Sequence, residues 1–208
     1  MLVQMSERGP DSAGVAVYRD SPGSSGTKLT LHCAEPDYDW AGLCSSLGRE
    51  FNTDPGIEVR ASHAVVSTIA PLQELRSWLS RNCPDLRVMS AGSTIEIYKE
   101  AGAPRDFVER FQLQDFQGSH ALGHTRMATE SAITTQHSHP FSTGQDLCLV
   151  HNGSLSNHNR LREQLQGEGI EFQTDNDSEV AAGYLMWQLH QGATLEQALT
   201  RAISDLDG

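Results

Sequence analysis

Residues 123 to 154 crowd more chemistry together than any other stretch of this chain, and the remainder must fold so as to hold it still. They read Gly-His-Thr-Arg-Met-Ala-Thr-Glu-Ser, then His-Pro-Phe at 139 to 141, then Leu-Val-His-Asn-Gly-Ser at 149 to 154. Arg126 offers a rigid fork of donors that matches a carboxylate two bonds at a time, a fit that lysine cannot reproduce. Asn152 brings a side-chain N–H, and Gly153 a backbone N–H with no Cβ in the way, to wherever negative charge develops on an amide oxygen. The apolar run from Leu147 to Val150 reads as a buried strand that delivers both. Downstream, Asp177 lies in Thr-Asp-Asn-Asp-Ser-Glu at the start of a helical pattern, a carboxylate suited to an ammonium. Arg126 and Asp177 together suit the two charges of a small zwitterion.

Each residue alone has a plainer reading. An Asn-Gly pair is commonly a turn, an arginine a surface or ion-pair residue, and an aspartate before a helix its N-cap. The order and company of all three carry the functional reading.

Six segments extend the pattern along the chain. Arg-Gly-Pro-Asp-Ser-Ala-Gly at 8 to 14, Gly-His-Thr-Arg-Met-Ala-Thr at 123 to 129, His-Pro-Phe at 139 to 141, His-Asn-Gly at 151 to 153, Asn157 with Leu161-Arg162, and Asp-Ser-Glu at 177 to 179 resemble the class II glutamine amidotransferases. These are N-terminal-nucleophile hydrolases. The nearest resemblance is to the small stand-alone amidotransferase component related to glutamate synthase, of the kind found in N-methylglutamate synthase. It implies a four-layer α/β/β/α sandwich of two mainly antiparallel sheets, an α+β fold. It also implies glutamine hydrolysis through a γ-glutamyl thioester, with ammonia passing to a synthase partner that resembles the flavin-containing domain of glutamate synthase. Carried over, Arg126 binds the glutamine α-carboxylate with Thr129 assisting, and Asp177 binds the α-ammonium. Asn152 and Gly153 form the oxyanion hole, and Arg8 and His139 support the site. No metal or cofactor is implied for the chain itself.

The family's nucleophile is a cysteine at the processed N-terminus, and it has no counterpart here. Cys33, Cys44, Cys83 and Cys148 are internal and match no motif. Met1 to Glu7 reads like the last turns of the family's first helix, and the chain stops at Gly208 where the family enters another strand. The expectation is an internal fragment of an active parent, unable as written to hydrolyse glutamine, because covalent amide hydrolysis needs an activated nucleophile.

With 15 basic against 27 acidic residues, a formal charge of −12, nucleic acid and anionic membranes are poor partners. Four cysteines without Cys-x-x-Cys spacing suit reduced thiols of a cytoplasmic protein. The whole chain, 1–208, reads as one incomplete domain. Ala13 to Tyr18 is a β-prone run that reads as a central strand, and Ser21 to Gly26 as a flexible surface connection. Residues 28–118 read as an inserted α+β subdomain, either a docking surface for a partner protein or simply packing on the main domain. In it, Leu29 to Cys33 and His63 to Ile69 are expected strands. Trp40, Leu43, Leu47 and Phe51 mark a helix, Pro71 opens another in its first turn, and Pro104 to Phe111 forms a third. Arg87 to Met89 and Thr94 to Tyr98 look like a strand pair around Ala91-Gly92. Further on, Ser156 or Asn157 caps a helix, Phe172 to Thr174 is a short strand, and Asp177 or Ser178 starts the next helix. Thr194 to Gln197 fits a capping box ahead of a last helix with Leu195, Ala198, Leu199, Ala202, Ile203 and Leu206 at helical spacing.

Two rivals remain. Six of the nine histidines fall between 120 and 158, and His137-Ser-His139 in an extended chain would project both rings from one face. That suggests a histidine-ligated metallohydrolase. The other rival is a non-catalytic glutamine-binding or scaffold protein.

Overall fold

The computed structural model describes residues 1–19, 26–128 and 132–208. Most of the Ser21 to Gly26 connection therefore lies outside the described residues. The chain opens with a 3-10 helix, Leu2–Arg8, and then forms β1, Ser12–Tyr18. Its small and β-branched residues pack on both faces, and it is the middle strand of a three-stranded antiparallel sheet. Its neighbours are β6, Ile95–Ala101, and β7, His120–Arg126. The register places Gly14 opposite both Lys99 and His124, and Ser12 opposite Arg126. Directly opposed residues share a sheet face, so Ser12, Gly14, Lys99, His124 and Arg126 form one polar patch.

The second sheet has the order β3-β4-β2-β5 and is antiparallel throughout. Its strands are β2, Thr27–His32; β3, Gly56–Arg60; β4, His63–Thr68; and β5, Arg87–Gly92. Alternation sorts the two faces. Leu29, Leu31, Ala64 and Val66 pack under Leu43 and Leu47 of helix α1, Trp40–Phe51, and Leu75 and Leu79 of helix α2, Leu72–Asn82. Asp39 caps α1 by accepting a hydrogen bond from Gly42 N at 2.8 Å. Pro71 stands as the N-cap of α2, one place before the first turn expected for it.

The opposite, polar face of this sheet meets β6. Glu96, 1% exposed, takes Lys28 Nζ at 2.7 Å, Arg19 Nε at 2.8 and 2.9 Å, and the Tyr98 hydroxyl at 2.8 Å. Ser90 Oγ bonds Thr30 Oγ1 and accepts from Ile97 N, at 2.9 and 3.1 Å. β5 and β6 are thus successive strands of different sheets, not the expected pair. The turn between them is stitched from a distance. Asp146 accepts the backbone N–H groups of Ser93, Thr94 and Ile95 at 2.7 to 3.0 Å. Burial alone would raise its pKa, but these amides, with the Ser93 hydroxyl, hold it down at about 2.

Helix α3, Pro104–Arg110, packs Phe107 with Phe111 against Val15, Val17 and Tyr98. After β7 comes a hairpin, β8, Phe141–Gly144, and β9, Leu147–Leu149. Then α4, His158–Gly167, α5, Asp177–His190, and α6, Leu195–Asp205, share a core of Leu161, Leu165, Val180, Tyr184, Leu185, Ala198 and Ala202. The capping box at Thr194 and Gln197 is present. α5 lies on β8, while α6 buries only its two alanines, leaving Leu195, Leu199 and Ile203 exposed. One expectation differs and one holds. Residues 172 to 174 form no strand, because Glu179 of α5 takes the N–H groups of Gln173 and Thr174 that a ladder would need. Asp177 is the first helical residue of α5, as expected, and Asn176 is the N-cap, its Oδ1 accepting from Ser178 N at 2.8 Å. The class is α+β with antiparallel sheets. Among the described residues no helix is long and apolar enough to cross a membrane.

Candidate functional site

Two groups of side chains meet at one end of the polar patch. The first surrounds the end of β7. Arg126, 8% exposed, donates from Nη1 to Ala132 O at 3.3 Å. Its backbone is pinned by Asp11, whose N–H bonds Arg126 O at 3.0 Å and whose Oδ2 takes Ala128 N at 2.7 Å. Gly9 lies so close that a Cβ there would stand 2.5 Å from the carbonyl carbon of Thr125. Thr129, expected beside Arg126, lies outside the described residues. Arg8 is exposed on the 3-10 helix, with no side-chain hydrogen bond among the described residues.

Above the patch runs the 132–140 segment. The His139–Pro140 peptide is cis, and the His139 carbonyl sits over Gly14. The His139 ring is 4% exposed and packs on His124 and Phe141, with centroids 4.5 and 5.0 Å away. Neither of its nitrogens has a partner among the described residues, and the same holds for His124 Nδ1 and Ser12 Oγ. Unpartnered buried polar atoms are uncommon, so four on one patch mark a place built for something other than packing. Burial, then His124, then the charges of Lys99 and Arg126 press the His139 pKa down to about 3, leaving a neutral imidazole near pH 7.

Lys99 belongs to the same row. Its ammonium donates to Gln136 O at 3.1 Å and Ser138 O at 2.8 Å, and lies 4.3 Å from the centre of the Phe141 ring. Burial draws its pKa down to about 7. Sequence reading passed over Lys99 and Asp11. Lys99 continues the alternation of Ile95 and Ile97, which is the one signal that it points inward. Asp11 sits in what reads as an ordinary Gly-Pro-Asp turn.

The second group is at the N-terminus of α5. Asp177 Oδ2 accepts from Leu155 N at 2.9 Å, and His151 Nδ1 meets Ser178 Oγ at 3.1 Å. Asn152 and Gly153 lie between these ties, exposed in an irregular segment after β9, which ends at Leu149. Arg162 braces the start of α5 through Thr174 O and Asn176 O at 2.6 and 3.1 Å. Asn157 does not cap α4 with its side chain; it bonds Asp205 O and Asp207 N instead. The two groups adjoin: His151 and Arg126 both act electrostatically on His139, and His137 Nε2 reaches Asp175 Oδ1 at 2.7 Å.

Residues 134 to 139 form a turn, not the extended chain in which His137 and His139 would share a face, and the two rings go to different partners. Among the described residues no three His, Cys, Asp or Glu side chains group as a metal-binding set. The four cysteines pack elsewhere. Cys33 is in the core under α1 and α2, Cys44 bonds Pro55 O, Cys83 lies beside Tyr38, and Cys148 meets the Tyr18 hydroxyl. Burial raises the pKa of Cys44, Cys83 and Cys148, the reverse of an activated thiol.

Comparison with known proteins bears on the family of the chain. Residues 112–198 match the glutamine amidotransferase domain family. A glutamine amidotransferase-like protein, GlxB, of Rhizobium meliloti is 52% identical over 209 residues, covering 100% of this chain and 69% of that protein. A protein of Methanothermobacter thermautotrophicus is 30% identical over 220 residues, covering 100% of this chain and 72% of its own length. Glutamine-fructose-6-phosphate aminotransferase (isomerizing) of Escherichia coli K12 is 32% identical over 123 residues, 59% of this chain and 20% of that enzyme. With full coverage by a relative at 52% identity, the chain belongs to the glutamine amidotransferase family.

Proposed function

We propose that this chain is the glutamine-binding core of a class II, N-terminal-nucleophile amidotransferase. Arg126 takes the α-carboxylate of L-glutamine with Thr129 assisting, Asp177 takes the α-ammonium, and Asn152 and Gly153 present N–H groups to the carboxamide oxygen. His139 and Arg8 support the site. The observation that carries this reading is the buried Arg126 fork beside the unpartnered His139 ring, adjoining the α5 N-terminus that carries Asp177. In a protein carrying the family's N-terminal cysteine, the thiol attacks the carboxamide carbon while its own α-amino group takes the thiol proton and passes it to the departing nitrogen, so that the C–N bond breaks and ammonia leaves. Water then releases glutamate from the thioester. The ammonia serves a synthase partner resembling the flavin-containing domain of glutamate synthase, the arrangement of the N-methylglutamate synthase type. The fold reading that goes with it is the four-layer sandwich. The 28–118 region is read as its insertion, with a docking surface for that partner. Four free thiols suit a cytoplasmic setting.

Titration calorimetry with L-glutamine tests the binding assignment. Wild type should give saturable heat that D-glutamine does not. Arg126→Ala should weaken binding by about 2–3 kcal/mol, roughly 30- to 150-fold, through loss of a bidentate charged partner. Equal affinities in the two proteins would remove Arg126 from the carboxylate site.

A further inference from the structure

Lys99 takes no part in the reading above, yet it lies buried on the sheet face that carries Arg126. An isolated ammonium in a protein interior is costly unless its donors are met. Here they are met by two carbonyls on either side of His137, Gln136 O and Ser138 O, with the Phe141 ring alongside. The titratable groups that interact with it electrostatically are His32 of β2, His63 of β4, His139 of the overlying segment and Glu179 of α5. The residue between the two carbonyls is His137, tied to Asp175, and just beyond them is His139. Arg126 holds the upstream end of the same segment through Ala132 O.

We propose that Lys99 is a positioning residue for the glutamine site: its ammonium fixes the 136–139 backbone and so seats the His139 ring on His124 and Phe141, over the sheet face that carries Arg126. This rests on the glutamine reading, and two measurements separate them. The first is hydrogen exchange by mass spectrometry, without ligand, on the full chain and on Lys99→Met. Exchange should quicken about tenfold or more in peptides spanning 132–141, while β1 and β6 stay protected. The second is calorimetric titration with L-glutamine, where Lys99→Met should bind about tenfold or more weakly. Exchange that rises throughout β1 and β6 would make Lys99 a general core residue and overturn the inference. So would unchanged exchange in 132–141, or unchanged glutamine affinity in a variant that binds. If wild type itself takes up no glutamine, the glutamine reading fails and the positioning role for that ligand falls with it, whereas a failure confined to Lys99→Met leaves the reading intact. Lys99→Arg is the second variant should Lys99→Met not fold. Its longer fork cannot meet both carbonyls from the same place, so the same segment-confined acceleration is expected, and a global one would again refute the idea.

Discussion

Adding one methyl group at Gly14 tests how tightly the site is built onto the sheet. A Cβ there would stand 2.1 Å from His139 O and 2.7 Å from Lys99 Cβ. Ordinary van der Waals contact begins at 3.4 Å, so the His139 carbonyl must withdraw by about 1.3 Å. β1 cannot yield, because β6 and β7 hydrogen-bond it on both sides. The displacement therefore falls on 136–140 and draws Ser138 O away from the Lys99 ammonium. Overpacking costs about 1–3 kcal/mol, and a weakened charged hydrogen bond adds about 1.5 kcal/mol. With about 2–4 °C per kcal/mol in a chain of this size, Gly14→Ala should melt roughly 5–18 °C below wild type. Gly167→Ala is the control, since nothing lies within 4 Å of that position at the end of α4. It should change stability by less than about 1 kcal/mol. Thermal unfolding followed by circular dichroism near neutral pH decides the matter. A Gly14→Ala melt within about 2 °C of wild type, less than 1 kcal/mol, would mean that the 136–140 segment is not seated on Gly14.

Other outcomes follow from the same geometry. On the proposed reading, in a protein that carries the N-terminal cysteine, Asn152→Ala should lower kcat by roughly 10² to 10³ with little change in KM; a loss confined to KM, seen in steady-state glutaminase kinetics, would remove Asn152 from the oxyanion site. Asp146→Ala strips three backbone N–H groups of their acceptor and should cost about 2–3 kcal/mol in urea unfolding; an unchanged midpoint would contradict that stitch. His139 has its folded pKa lowered to about 3, so its contribution is fully present above the usual histidine value and is lost as pH falls from about 6.5 towards 3. Over that window wild type should lose stability more steeply than His139→Asn, by up to about 1.4 kcal/mol per pH unit, and parallel urea series would refute the burial of a neutral ring.

Much of this was legible in the residues. The spacing of Trp40, Leu43 and Leu47 and the capping box at Thr194 are local signals, and the helices they announce are there. β1 was readable as a central strand because its run of small and β-branched residues leaves no solvent face. Long-range effects were not readable. Ala91-Gly92 looks like a hairpin turn, but Asp146, some fifty residues on, takes the amides of the next turn, and β6 departs to the other sheet. β3 escaped notice because Gly56–Arg60 is a short, largely exposed edge strand whose alternation is only two residues deep, with Ile57 packed on the core and Val59 left exposed. At the site, Arg126, His139 and Asp177 were visible as motif residues, while Lys99 was hidden in a charged-looking Tyr-Lys-Glu run whose neighbours had to be known first.

The ionic cluster on Glu96 bears on how the two sheets find each other. Lys28, Arg19 and the Tyr98 hydroxyl reach one carboxylate from β2, the end of β1 and β6 itself. Slide β6 along its neighbours by one residue and Glu96 changes face, leaving an ionised carboxylate and two cations apart in an apolar interior. An uncompensated buried charge of that kind costs about 3–5 kcal/mol, comparable to a large share of a domain's net stability. The cluster therefore acts as a key cut for one alignment, discarding misregistered assemblies during folding whatever it adds to the finished structure.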